Sequence, residues 1–200
     1  MRIILTIIGC LVATTFAFAD SPAPPVPLVF SNEDRSNVYF TMVPAKYGKD
    51  YKIERKAYGV AYRLDADGKS TELYRTEGWY SFTVFISGDG RYLVRMGPWS
   101  VGHGPEENDL AVAFYKDGKL IKQYSTADLV RDKSKVVATV SHYFWQAPSP
   151  LDQRVTEAER LKLRLHLDDN NMFKLHTIDG WTYSFDATTG GIKSTTKTKG

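Results

Sequence analysis

Short runs in which apolar and polar residues alternate recur along this chain, and four of the breaks between them carry an Asp-Gly pair: Asp67-Gly68, Asp89-Gly90, Asp117-Gly118 and Asp179-Gly180. Glycine takes the positive-φ position of a tight turn at no steric cost, and the flanking β-branched and aromatic residues suit a pleated sheet, so each pair predicts a β-hairpin. The pattern places strands at 37–44, 58–65, 71–76, 81–87, 91–96, 110–116, 119–125, 135–145, 160–167, 172–178 and 181–186. A capped helical turn is expected at Ser125–Val130, and Ser149-Pro150 can open a second short helix that runs to Glu159. Strands dominate, so the fold class is all-β: antiparallel hairpins in a propeller-like meander or a two-layer sandwich, with one or two short helical turns.

Pairing apolar with apolar positions tests the register of each hairpin. A three-residue loop Gly88-Asp89-Gly90 sets Ile86 against Tyr92, Val84 against Val94 and Phe82 against Met96. The loop Ile178-Asp179-Gly180 sets Leu175 against Tyr183 and Phe173 against Phe185. Around Asp117-Gly118 a three-residue loop pairs Phe114 with Leu120 but then Val112 with Lys122, and around Asp67-Gly68 no register aligns the apolar positions. Leu161, Leu163, Leu165 and Leu167 alternate with Lys162, Arg164 and His166 ahead of the turn residues Asp168–Asn171, which predicts a half-buried hairpin. Lys135 to Trp145 is apolar on both faces near its end, so it is expected to lie centrally in its sheet.

The ends of the chain change the picture. Arg2, the apolar run Ile3–Phe18 and the small-residue site Ala17-Phe18-Ala19 have the form of a secretory signal peptide over 1–19, and the apolar run is shorter than the roughly 20 residues a spanning helix needs. A Pro-rich spacer follows at 20–29, then a single all-β domain at 30–193 and a Thr/Lys/Gly tail at 194–200. Cleavage after Ala19 removes Cys10, the chain's single cysteine, so packing rather than disulfides has to hold the exported fold. The mature chain retains no transmembrane segment in this reading, and its location is the periplasm or the exterior. The formal charge of +3, one unit of it from Arg2, makes no case for nucleic acid as a partner.

Trp181-Thr182-Tyr183-Ser184-Phe185-Asp186-Ala187-Thr188-Thr189-Gly190 resembles the strand-and-turn signature of β-propeller blades of the quinoprotein type. The stretches Asp89–Trp99 and Phe114–Lys119 resemble those of uncharacterised exported bacterial β-hairpin proteins. The first resemblance implies a propeller-like arrangement, although a four-bladed propeller uses about 16 strands. The second implies export and carries no activity with it.

No G-x-S-x-G, H-E-x-x-H, C-x-x-C or phosphate-binding glycine loop is present in the sequence. His166 and His176 fall beside Arg164 and Lys174, and neighbouring cations oppose a bound metal ion. Ser141 and His142 are adjacent on an extended run and point to opposite faces, so they cannot act as nucleophile and base. The long loop from Gly97 to Asp109 is the most function-like segment, and the rings around it supply the binding candidates Trp99, His103, Tyr143 and Trp145. The acidic end of that loop matches no calcium-loop spacing, so no metal and no cofactor are expected. These features favour a non-enzymatic binding or structural module whose partner is a protein or polysaccharide of the cell envelope. The alternative is an envelope hydrolase whose carboxylates come together from separate loops. An exposed Trp99 fits a binding element; a buried one fits a ring folded back over the sheet.

Overall fold

A computed structural model describes residues 22–32, 37–148 and 155–197; the expected signal peptide and its cleavage site lie outside the described residues, as does the start of the second expected helix at Ser149-Pro150. In chain order the first strands are β1 (Leu28–Ser31), β2 (Val38–Val43), the short pair β3 (Lys46–Tyr47) and β4 (Ile53–Arg55), β5 (Tyr58–Leu64) and β6 (Ser70–Glu77). They are followed by β7 (Val84–Ile86), β8 (Tyr92–Met96), β9 (Leu110–Lys116) and β10 (Lys119–Ser125), then by α1 (Thr126–Leu129) and the two-residue strands β11 (Val137–Ala138) and β12 (Tyr143–Phe144). The last elements are α2 (Glu157–Lys162), β13 (His166–Leu167), β14 (Met172–His176), β15 (Trp181–Asp186) and β16 (Gly191–Lys197).

Three four-stranded antiparallel sheets result, in the orders β1-β2-β5-β6, β10-β9-β8-β7 and β13-β14-β15-β16, and β3-β4 and β11-β12 form small hairpins of their own. The all-β class read from the hairpin pattern is what the chain adopts. The blade-like resemblance of Trp181–Gly190 does not extend to architecture: among the described residues the sheets stand separately, and none closes into a barrel or a propeller.

The middle sheet is buried on both faces, which follows from β9, whose Ala111 to Tyr115 are all inaccessible. On one face Leu93, Ala113 and Tyr115 pack with Phe40, Met42 and Ala61 of the first sheet. On the other, Val94, Met96, Val112 and Phe114 pack with Phe173, Leu175, Tyr183 and Phe185 of the third. Successive residues of β8 and β9 therefore feed two different cores, as the two-residue period of a strand requires. The central strand is β9 and not 135–145: that segment is broken into a 3₁₀ turn at Lys133–Lys135 and the β11-β12 hairpin, because Thr139 N–H donates to the His142 carbonyl and folds the chain back.

The 160–167 strand is also corrected. A capping box between Thr156 and Glu159 starts α2, which takes Leu161 with it and leaves only His166–Leu167 as strand. Leu161 is accordingly exposed. At the end of the chain β16 carries strand structure through Lys197, four residues into the segment read as a tail.

Registers followed the turn chemistry. The 178–180 loop gives Leu175 opposite Tyr183 and Phe173 opposite Phe185, as the apolar positions required. At Asp89-Gly90 the pairing is one residue off the expected one, with Phe85 opposite Val94 and Ile86 opposite Leu93. Ser87 closes a longer loop there, because its hydroxyl donates to Asp89 and accepts from the Tyr92 N–H. At Asp117-Gly118 both turn residues have positive φ (47° and 77°), which makes a two-residue turn of type I′, and a bulge at Ile121 then shifts the ladder so that Lys122 meets Phe114. A bulge between Ala61 and Tyr62 likewise explains why no regular register aligned the 58–76 hairpin.

Candidate functional site

The loop after β8 leaves the sheet at Gly97, whose N–H donates to the Ala111 carbonyl at 2.9 Å. A Cβ at this position would lie 1.6 Å from the Leu110 carbonyl oxygen, so only glycine lets the chain depart flush against β9. Pro98 and Trp99 follow directly. The Trp99 ring is 37% exposed and sits 4.3 Å from the His142 ring, which in turn meets the Phe144 ring edge-on at 4.7 Å. Backbone bonds tie the two segments together: Tyr143 N–H donates to the Ser100 carbonyl (3.1 Å), and Gly102 N–H to that of Ser141 (3.1 Å).

These contacts enclose a hollow of about 300 Å³ lined by Phe82, Trp99, Ser100, His142, Phe144 and Trp145 among others, with no Asp, Glu, Lys or Arg in its wall. Trp145 is buried, and its carbonyl accepts from the Ile178 N–H (2.8 Å), which fixes this wall to the turn between β14 and β15. Phe82, 41% exposed, escapes the β7-β8 ladder because Thr83 rather than Phe82 pairs with Met96. A larger cleft of about 550 Å³ runs between β1, β7 and β13, but strand edges form most of its wall and it gathers fewer rings.

Of the four residues singled out in the sequence, Trp99, Tyr143 and Trp145 come together at this hollow. His103 does not: it is exposed on the outer part of the loop. Tyr143 is only 2% exposed, and its hydroxyl is committed elsewhere, donating to Asp109 Oδ2 (2.7 Å) and lying 2.7 Å from Thr126 Oγ1. Burial first, with Asp109 adding to it, pushes the Tyr143 phenol up to about 12, so it is neutral at ordinary pH. Its work is to hold Asp109, and through Thr126 Oγ1, which accepts from the Glu106 N–H at 3.1 Å, to hold the acidic end of the long loop against α1. His142 is buried, and its Nδ1 lies 2.7 Å from Thr139 Oγ1. Phe82 and His142 join them in the wall although the sequence does not mark them as binding residues, Phe82 carrying no signal beyond its place in an apolar run.

The remaining histidines are placed on the third sheet, where His166 pairs with Lys174 and is exposed. His176 Nδ1 lies 2.8 Å from Thr182 Oγ1, and burial, then Lys174, holds its imidazole below the usual range. Among the described residues no three His, Cys, Asp or Glu side chains are grouped to hold a metal ion, and no helix is long and apolar enough to cross a membrane. No family model and no curated protein matches this sequence. That finding, with the open sheets, sets aside the resemblance to exported hairpin families.

Proposed function

We propose that this chain is an exported, non-enzymatic binding module of the cell envelope that takes a neutral saccharide unit in the hollow beside Trp99. The observation that carries the reading is the composition of the wall: several rings, two of them (Phe82 and Trp99) more than a third exposed, and no charged side chain. A sugar ring offers apolar C–H faces that stack on aromatic rings and hydroxyls that seek a few polar groups, and Ser100 and Gln146 supply polar groups in the same wall. A charged ligand would find no counter-ion there, and hydrolysis would lack its pair of carboxylates. Export is supported by the apolar leader that ends at Ala17-Phe18-Ala19.

The test is a titration of the full chain with cellotetraose, maltotetraose and chitotetraose, followed by tryptophan fluorescence and calorimetry. At least one should bind saturably, and Trp99→Ala should weaken it by about tenfold or more. No saturable binding by any of the three, or binding indifferent to Trp99→Ala, would overturn the proposal.

A further inference from the structure

A second aromatic surface, joined to the first through Phe82, already holds a peptide: the chain's own N-terminal proline segment. Tyr80 Oη accepts from the Val26 N–H at 3.2 Å and donates to the Val26 carbonyl at 2.8 Å, across 54 residues of sequence. Within Pro24-Pro25-Val26-Pro27, Val26 is the one residue with an N–H to give, since proline has none. One hydroxyl therefore satisfies both backbone groups of the residue between two prolines. Both bonds are made to the backbone and are independent of the side chain at X, which is about half exposed here (49%).

The surface is built to stay in place. The Trp79 ring lies against Phe40 (6.2 Å, 12°) and Tyr115 (5.5 Å), with the Arg95 guanidinium 4.6 Å from its centre. Tyr80 is braced edge-on by Phe82 at 5.1 Å. Beside Pro25 the groove continues as a cavity of about 400 Å³ walled by Trp79, Tyr80, Pro44 and the β3-β4 hairpin, whose Tyr47 and Ile53 are each 58% exposed. Pro25 itself forms part of this wall beside Trp79 and Tyr80, and the exposed apolar side chains around it offer what extended proline segments are recognised by: aromatic walls for flat pyrrolidine faces, at small entropic cost because proline restricts the chain beforehand.

We propose that the Trp79–Tyr80 groove is a binding site for extended Pro-X-Pro peptides, which the chain's own Pro24–Pro27 occupies in cis. A partner carrying the same pattern competes with that resident segment, whose tether gives it an effective concentration in the millimolar range.

The experiment uses the full chain and a fluorescein-labelled peptide that reproduces Pro22–Pro27. Replacing Pro24, Pro25 and Pro27 with glycine in the protein, all at exposed positions, loosens the resident segment. This variant should bind the peptide saturably and about tenfold or more tighter than the parent does. Adding Tyr80→Phe should weaken that binding by about tenfold, and a peptide with its prolines changed to alanine should bind at least as weakly, equal binding of the two peptides refuting the proline preference. In the unaltered chain, excess peptide should speed amide exchange at Val26 by displacing it from Tyr80, a readout independent of the glycine variant's folding. Absence of binding by a folded glycine variant, equal binding by the parent, indifference to Tyr80→Phe, or unchanged exchange at Val26 would each overturn the proposal.

Discussion

Asp179 offers the sharpest test of how the third sheet is latched to the segment that follows α1. It lies in the turn between β14 and β15 and is 8% exposed, yet its carboxylate is well supplied with donors: Arg131 N–H at 2.8 Å and Asp132 N–H at 2.9 Å on Oδ2, and the Thr177 hydroxyl on Oδ1. Hydrogen bonds to a charged group contribute about 1.5–3 kcal/mol each. Arg131 and Asp132 are themselves exposed, so water can partly replace what they lose, and the lower end applies. The Thr177 hydroxyl keeps an acceptor in the Trp181 carbonyl (3.2 Å), so Asp179→Ala loses the two backbone bonds and is expected to cost about 3 kcal/mol. In Asp179→Asn the amide oxygen can take the place of Oδ2 and keep both backbone donors, which leaves only the loss of charge, about 1 kcal/mol. For a domain of this size the alanine change corresponds to a fall of roughly 6–12 °C in melting midpoint. Denaturant melts of the two variants, followed by near-ultraviolet circular dichroism, measure the difference directly. An alanine variant within about 1 kcal/mol of the parent, or an asparagine variant as damaged as the alanine one, would refute the idea that acceptance from the two backbone N–H groups is what Asp179 provides.

Gly97→Ala puts a methyl against the Leu110 carbonyl, a backbone atom that cannot swing away, and is expected to cost about 3 kcal/mol or more in a urea melt. Trp99→Ala removes a ring that is about two-thirds buried and in contact with His142, which scales the usual 3–5 kcal/mol for a core aromatic down to about 2 kcal/mol; a loss above about 4 kcal/mol would mark the ring as core and count against a binding role. The folded-state pKa of Tyr143, about 12, stands above the ordinary value of 10.0, so between these the folded chain holds a proton that the unfolded chain has released. Stability is then level below pH 10 as far as this group is concerned and falls as pH rises from about 10 to about 12; Tyr143→Phe should flatten that part of the stability profile while lowering stability at pH 7 by about 1–2 kcal/mol through the orphaned Asp109. His176 works in the opposite range: its lowered pKa means that the unfolded chain takes up a proton first, so stability declines on acidification below about pH 6.5, and His176→Gln should reduce that slope.

What could be read from the sequence was local and turn-driven. The 178–180 loop fixed its register because a Gly at φ 85° closes a three-residue turn and the apolar positions on either side agree with it. Asp117-Gly118 did not, because two positive φ values in succession shorten the loop by one residue and the bulge at Ile121 then compensates, and neither event leaves a mark in the apolar pattern. The alternating leucines at 161–167 misled for a related reason: the capping box at Thr156–Glu159 is a stronger local instruction than the alternation over its first half, so Leu161 ends up in solvent while only Leu165 and Leu167 reach the core. Burial of 110–116 on both faces was hidden by its composition. Ala111 and Ala113 are small enough to read as neutral, yet their smallness is what lets β9 lie between two cores.

The hollow beside Trp99 shows why a site of this kind is only half legible. Its rings come from residues 82, 99 and 142–145, and each segment reaches the wall by a contact that no spacing rule describes. Gly97 admits the loop past the Leu110 carbonyl, the Thr139–His142 turn swings His142 under Trp99, and the Trp145 carbonyl is tied to Ile178 in the turn that Asp179 also braces. The rings Trp99, Tyr143 and Trp145 could be chosen in advance because large aromatics near a long loop are candidates on chemistry alone. Which of them keeps a free face could not, since that depends on the partners of their polar ends: Tyr143 is taken by Asp109 and Thr126, whereas Trp99 leans on His142 with one face and leaves the remainder to the hollow. The binding element, if the saccharide titrations bear it out, is thus defined by the hydrogen bonds that occupy its neighbours as much as by the ring itself.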